Sequence, residues 1–122
     1  MQLFTKEIEQ KLLANGRDRD QDHPPVVKIF NPMGSATWLL SEIDLEAPDL
    51  AFGLCDLGMG CPELGVVPIS DLKNFRNNRT GLGLERDRFF KASAPMSAYA
   101  AAATKAGHVV DHLPETGGQN HG

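Results

Sequence analysis

Four short apolar segments follow one another between Val26 and Ile69, and turn chemistry separates them. Val26–Phe30 (VVKIF) and Thr37–Ile43 (TWLLSEI) are rich in the β-branched and aromatic residues that suit a pleated, half-buried surface. Asn31-Pro32-Met33-Gly34-Ser35-Ala36 lies between them and predicts an antiparallel hairpin. Leu50–Cys55 (LAFGLC) reads as a third strand and Leu64–Ile69 (LGVVPI) as a fourth. Pro68 has no N–H to give a ladder, so the fourth strand belongs at a sheet edge or ends there. The intervening Asp56–Glu63 (DLGMGCPE) is a Gly/Pro loop of the kind that bulges around a neighbour or a ligand, and Arg86–Ala92 (RDRFFKA) offers a last strand.

Helices flank this block. Phe4–Gly16 has Thr5 to cap it, Glu7 in its first turn and Glu7–Lys11 as an i,i+4 pair. Leu3, Phe4, Ile8 and Leu12 make its apolar stripe, and Asn15-Gly16 supplies a left-handed stop. Arg17–Pro25 (RDRDQDHPP) is a polar linker closed by two prolines. Ser70 is suited to cap a two-turn helix with Leu72 and Phe75 inward. Pro95 opens an Ala-rich helix over Ser97–Lys105 that Gly107 ends. Strands adjoining in sequence, with helices before and after, predict an α+β fold. Its sheet is a small antiparallel meander of four to five strands, with the helices on one face.

At 122 residues, 41% hydrophobic and 23% charged, the composition is that of one globular domain, expected over residues 1–113 with the linker inside it. Residues 114–122 (PETGGQNHG) are expected to form a disordered tail. No apolar run approaches the roughly 20 residues of a membrane helix. Met1–Gln10 lacks the apolar heart of a secretion signal, which points to a cytoplasmic chain with reduced cysteines.

Charge is segregated along the chain. From Ile29 to Leu72 there is no Lys or Arg, while Glu42, Asp44, Glu46, Asp49, Asp56, Glu63 and Asp71 supply seven negative charges. Against an overall charge of −4, the remainder carries +3, and Lys73–Lys91 concentrates it with a net +4. If the carboxylates share a face, that face attracts basic partners and repels DNA; read singly, each is a solvated turn or edge charge. The basic set Lys73, Arg76, Arg79, Arg86 and Arg88 invites a nucleic-acid reading, with Arg76 and Arg79 three apart over a phosphate. An acidic chain without a known reader motif weighs against it.

Little else suggests chemistry. Cys55 and Cys61 lie six apart and His108 and His112 four apart, a set of metal-ligating types with wider Cys spacing than structural zinc sites use. Gly107 also stops the helix before His108. The alternative is two apolar thiols and two surface imidazoles. No serine sits in a nucleophile-elbow context, and Gly81-Leu82-Gly83 reads as a turn. The expectation is a non-enzymatic chain without metal or cofactor. Most of the bulky aromatics are expected in the core.

Four blocks occur together in order: Leu3-Phe4-Thr5-Lys6-Glu7-Ile8-Glu9, Ala36-Thr37-Trp38-Leu39-Leu40-Ser41-Glu42, Phe52–Gly60 with Pro62-Glu63-Leu64-Gly65, and Gly83-Leu84-Glu85-Arg86-Asp87. In these the chain resembles the bacterial family catalogued as domain of unknown function 2958, over roughly Leu3 to Ala100. The resemblance implies a short single-domain protein of the kind common on plasmids, integrative elements and prophage-like islands, with no catalytic residues to carry over. It suggests an accessory protein, antirestriction or anti-CRISPR in type, that docks on a host or defence protein, in particular one that binds DNA. The carboxylates Glu42, Asp44, Glu46, Asp49, Asp56 and Glu63 would make the contact. The alternatives are a nucleic-acid accessory protein using residues 73–91, and a small metal-binding protein or hydrolase.

Overall fold

The structure is a computed structural model that describes residues 2–113, so the tail expected at 114–122 lies outside the described residues. The chain runs through α1 (Lys6–Gly16), β1 (Val27–Phe30), β2 (Thr37–Ile43), β3 (Leu50–Asp56), β4 (Glu63–Pro68), α2 (Ile69–Asn74), β5 (Glu85–Arg86) and α3 (Met96–Ala106). The fold is α+β. One five-stranded antiparallel sheet has the order β4-β3-β2-β1-β5, a four-strand meander with β5 added beyond β1. β4 holds the edge position that Pro68 predicts.

β5 is much shorter than the expected Arg86–Ala92. Asp87 ends it by folding the backbone into a turn: its carboxylate accepts from Phe89 N at 2.9 Å and its carbonyl from Phe90 N at 3.4 Å.

A bulge in β2 sets the faces of the sheet. Leu40 pairs with Gly53 and Glu42 with Phe52, leaving Ser41 as the extra residue. The alternation of side chains therefore slips at Ser41, and Leu40 and Ile43 join the same buried cluster. That cluster holds Val27, Ile29 and Ala51 from the sheet with Phe4 and Leu12 from the N-terminal segment and Ile69 and Leu72 from α2. A second cluster joins Leu39 and Leu54 to Met96, Tyr99 and Ala103 of α3. Helices thus cover both faces, not one. The reason is local: the neighbours Leu39 and Leu40 point to opposite sides of β2, so each side needs a cover.

Two helix ends differ from expectation. α1 does not stop at Gly16 in a left-handed turn; Arg17 follows with right-handed φ −77° and ψ −17°. Gly16 serves a close approach, since a Cβ there would stand 2.0 Å from the Ile43 carbonyl oxygen. Ser70 does not cap α2 but lies inside it. The carboxylate of Asp49 reaches across instead, accepting from Ser70 N at 3.0 Å and from the Ser70 hydroxyl at 2.6 Å. The linker is equally tied down: Met96 N donates to His23 O at 2.9 Å, and Ser97 N donates to the Asp22 carboxylate at 3.1 Å.

Candidate functional site

The β2–β3 turn gathers the acidic residues. Asp44 N donates to Leu50 O at 3.0 Å and Ala47 N to Asp44 O at 3.1 Å, closing the turn, while the Asp44 carboxylate accepts Glu46 N at 2.9 Å. Asp49 clasps Ser70 at the start of α2, and Asp71 follows on the exposed side of that helix. Asp44, Glu46, Asp49 and Asp71 therefore stand at one end of the sheet, although they come from two separate stretches of chain. Leu45 lies in the same turn, 42% exposed, with part of its side chain against Gly16 of α1.

Two of the carboxylates expected on that surface are elsewhere. Glu42 is 5% exposed, enclosed on the bulged part of β2. Arg19 of the linker offers its Nε to Glu42 at 3.3 Å and its Nη1 to Asp44 at 3.5 Å. Enclosing a carboxylate without a partner would be costly, and the Arg19 guanidinium supplies that partner. Asp56 is 3% exposed at the other end of β3. Its carboxylate accepts Gly58 N at 2.8 Å and Val109 N at 3.0 Å, binding the segment after α3 to the β3–β4 loop. Glu63 is exposed at the start of β4, one strand length from the acidic turn. So the six named carboxylates do not form one continuous surface, and the negative end is not free of cations from its own chain. Arg19 is the residue that the sequence reading missed; the alternating charges of RDRD were the visible signal, but nothing in them shows which strand they meet.

The basic set is also divided. Lys73 pairs with Glu9 at 3.7 Å and lies 5.8 Å from the centre of the Phe4 ring. Arg76 spends Nη1 on the carbonyls of Lys73 at 3.1 Å and Phe75 at 2.6 Å. Arg86 donates to the carbonyls of Gln2 and Leu3, holding the N-terminal segment against β5. Arg79 and Arg88 are exposed on different loops. Phe89 is 89% exposed, not in the core, because the Asp87 turn points the chain outward there; Phe90 instead meets Tyr99 edge-on with ring centres 6.1 Å apart.

The Cys/His set is not assembled. Among the described residues no group of three or more His, Cys, Asp or Glu side chains is placed to hold a metal ion. Cys55 lies half-buried in β3 and Cys61 is exposed in the following loop. Gly107 ends α3 in a left-handed turn at φ 83°, so His108 and His112 share no helix face; His108 Nδ1 lies 2.9 Å from the carbonyl of its neighbour Val109. Burial pushes the Cys55 thiol up from its ordinary pKa, which keeps it protonated and weakly nucleophilic.

Among the described residues, no helix is long and apolar enough to cross a membrane. Compared with known families, residues 3–110 match the family described as protein of unknown function (DUF2958). No curated protein and no solved structure gives a significant match.

Proposed function

The chain belongs to the DUF2958 family, and on that premise we propose that it is a non-enzymatic binding protein, an accessory of mobile elements that docks on a host or defence protein. One observation carries the reading. Asp44, Glu46, Asp49 and Asp71 stand together at one end of the sheet, and the 42%-exposed Leu45 lies in the same turn as the first three. A partly exposed apolar side chain in a charged turn suits a protein interface, in which apolar contact supplies affinity and charge sets partner choice and encounter rate. The carboxylates favour a basic partner surface, such as the DNA-binding face of a restriction or CRISPR protein, and disfavour nucleic acid at this end.

The variant Glu46→Lys/Asp71→Lys tests this with little risk to folding, since both side chains are exposed and neither makes a side-chain hydrogen bond or ion pair among the described residues. The wild-type chain, used as bait in lysate of its host, is expected to retain a partner that the variant loses. That retention is expected to fall steeply from 0.1 to 1 M salt, as the screening length drops from about 10 Å to about 3 Å. Equal recovery by both baits, or recovery indifferent to salt, rejects the acidic end as the docking surface. The nucleic-acid alternative draws support from Phe89, which stands exposed between the exposed Arg88 and Lys91 in the manner of a base-stacking side chain. A DNA or RNA mobility shift lost on Phe89→Ala, with no protein partner captured, decides for that reading.

A further inference from the structure

The outer edge of β4 is open. Among the described residues, β4 pairs only with β3, and no backbone hydrogen bond outside that ladder involves Glu63–Val67. Natural sheets blunt such edges with lysines, bulges or an internal proline. β4 has none of these before its last residue, Pro68, and the chain carries no Lys or Arg anywhere from Ile29 to Leu72. Leu64 and Val66, two apart and so on the same face of the strand, are 47% and 54% exposed.

We propose that β4 pairs antiparallel with β4 of a second copy about a two-fold axis at Gly65, joining two five-stranded sheets into one. The sequence of the strand is self-complementary in this register. Leu64 of each copy faces Val66 of the other, so both exposed apolar pairs are covered at once. Glu63 faces Val67, which keeps the two carboxylates from standing opposite each other. The new ladder closes at residues 63 and 67, one residue before Pro68, which has no N–H to contribute. Gly65 lies at the centre. Its φ is not in the left-handed region, and a Cβ built on it meets nothing within 4 Å among the described residues, which therefore give no reason for a glycine there. Mid-strand glycine weakens a strand and commonly marks the close approach of another backbone. A two-fold contact uses the same patch on both chains and stops at two, which removes the open edge without starting a fibre.

Light scattering across a concentration series, on the full chain, is expected to show the mass doubling from that of one chain. Leu64→Lys/Val66→Lys, which alters only exposed side chains, is expected to keep the circular dichroism of the wild type and remain a single chain throughout. The register is read by cross-linking in a Cys61→Ser background. A mixture of Leu64→Cys and Val66→Cys chains is expected to form the mixed disulfide faster than Leu64→Cys forms one with itself, because only the first pair is directly opposed. A wild-type mass that stays that of one chain up to near-millimolar concentration overturns the proposal, as does a dimer that survives both lysines. Lost capture of another protein by the lysine variant, with the wild type a single chain, assigns the edge to a foreign strand and overturns it too. The acidic end is not altered by these variants, so the two docking readings fail separately.

Discussion

Gly16 shows how a single residue can be legible in kind and misread in cause. A glycine after asparagine at the end of a helical pattern suggests a left-handed stop, yet Gly16 is the last helical residue and the Arg17 cap keeps right-handed angles. Its lack of a side chain is needed because α1 comes down on the end of β2, where a Cβ would lie 2.0 Å from the Ile43 carbonyl oxygen. Propensity and packing therefore predict opposite signs for Gly16→Ala. Helix propensity alone gives a gain of about 1 kcal/mol. The contact forces α1 off the sheet, and a loss of about 2 kcal/mol or more is expected to win. A lowered urea midpoint checks this; a raised one would show that α1 has room to spare at that crossing. Glu42 carries the same lesson for charge. Its place in an acidic run marks it as surface, whereas the bulge at Ser41 and the reach of Arg19 make it a buried, paired carboxylate.

At the level of elements, period and punctuation located the meander strands well, because alternation and turn residues act within a few positions of each other. β2 spans the expected residues, β1, β3 and β4 differ by about a residue at their ends, and α3 ends at Gly107 as read. What failed was the capping of helices by residues distant in sequence. Pro95 at the N-cap of α3 has no side-chain acceptor, and Asp22 from the linker takes the role, accepting Ser97 N at 3.1 Å. Likewise Asp49 serves α2 in place of a local cap. Asp22→Ala is expected to cost about 1 kcal/mol, the usual worth of a lost N-cap. The melting temperature should drop by several degrees, and amide exchange should rise first in the opening turn of α3. Unchanged exchange there would mean that the linker contact contributes nothing to the helix.

Over the whole molecule, the sheet is a shared wall between two cores, and the segment following α3 is clipped back to it by Asp56. That carboxylate lies buried with two backbone N–H donors, so Asp56→Ala leaves both without a partner. A loss of about 2 kcal/mol is expected, together with faster amide exchange near Val109 and in the loop after β3. Stability unchanged by the substitution would show that water replaces the carboxylate at no cost. The run from Ile29 to Leu72 by itself determined that this region is acidic, built of short adjoining strands and ended by a proline at an edge, since each of these follows from residue type and near-neighbour spacing. Only the tertiary structure decided which carboxylates remain available. Proximity across the fold pairs Glu42 and Asp44 with Arg19, ties Asp49 to Ser70, sets the buried Asp56 on Val109 N, and leaves Glu46 and Asp71 exposed near that end of the sheet. Charge is carried by the residue, but solvation and partnership belong to the place that the folded chain gives it.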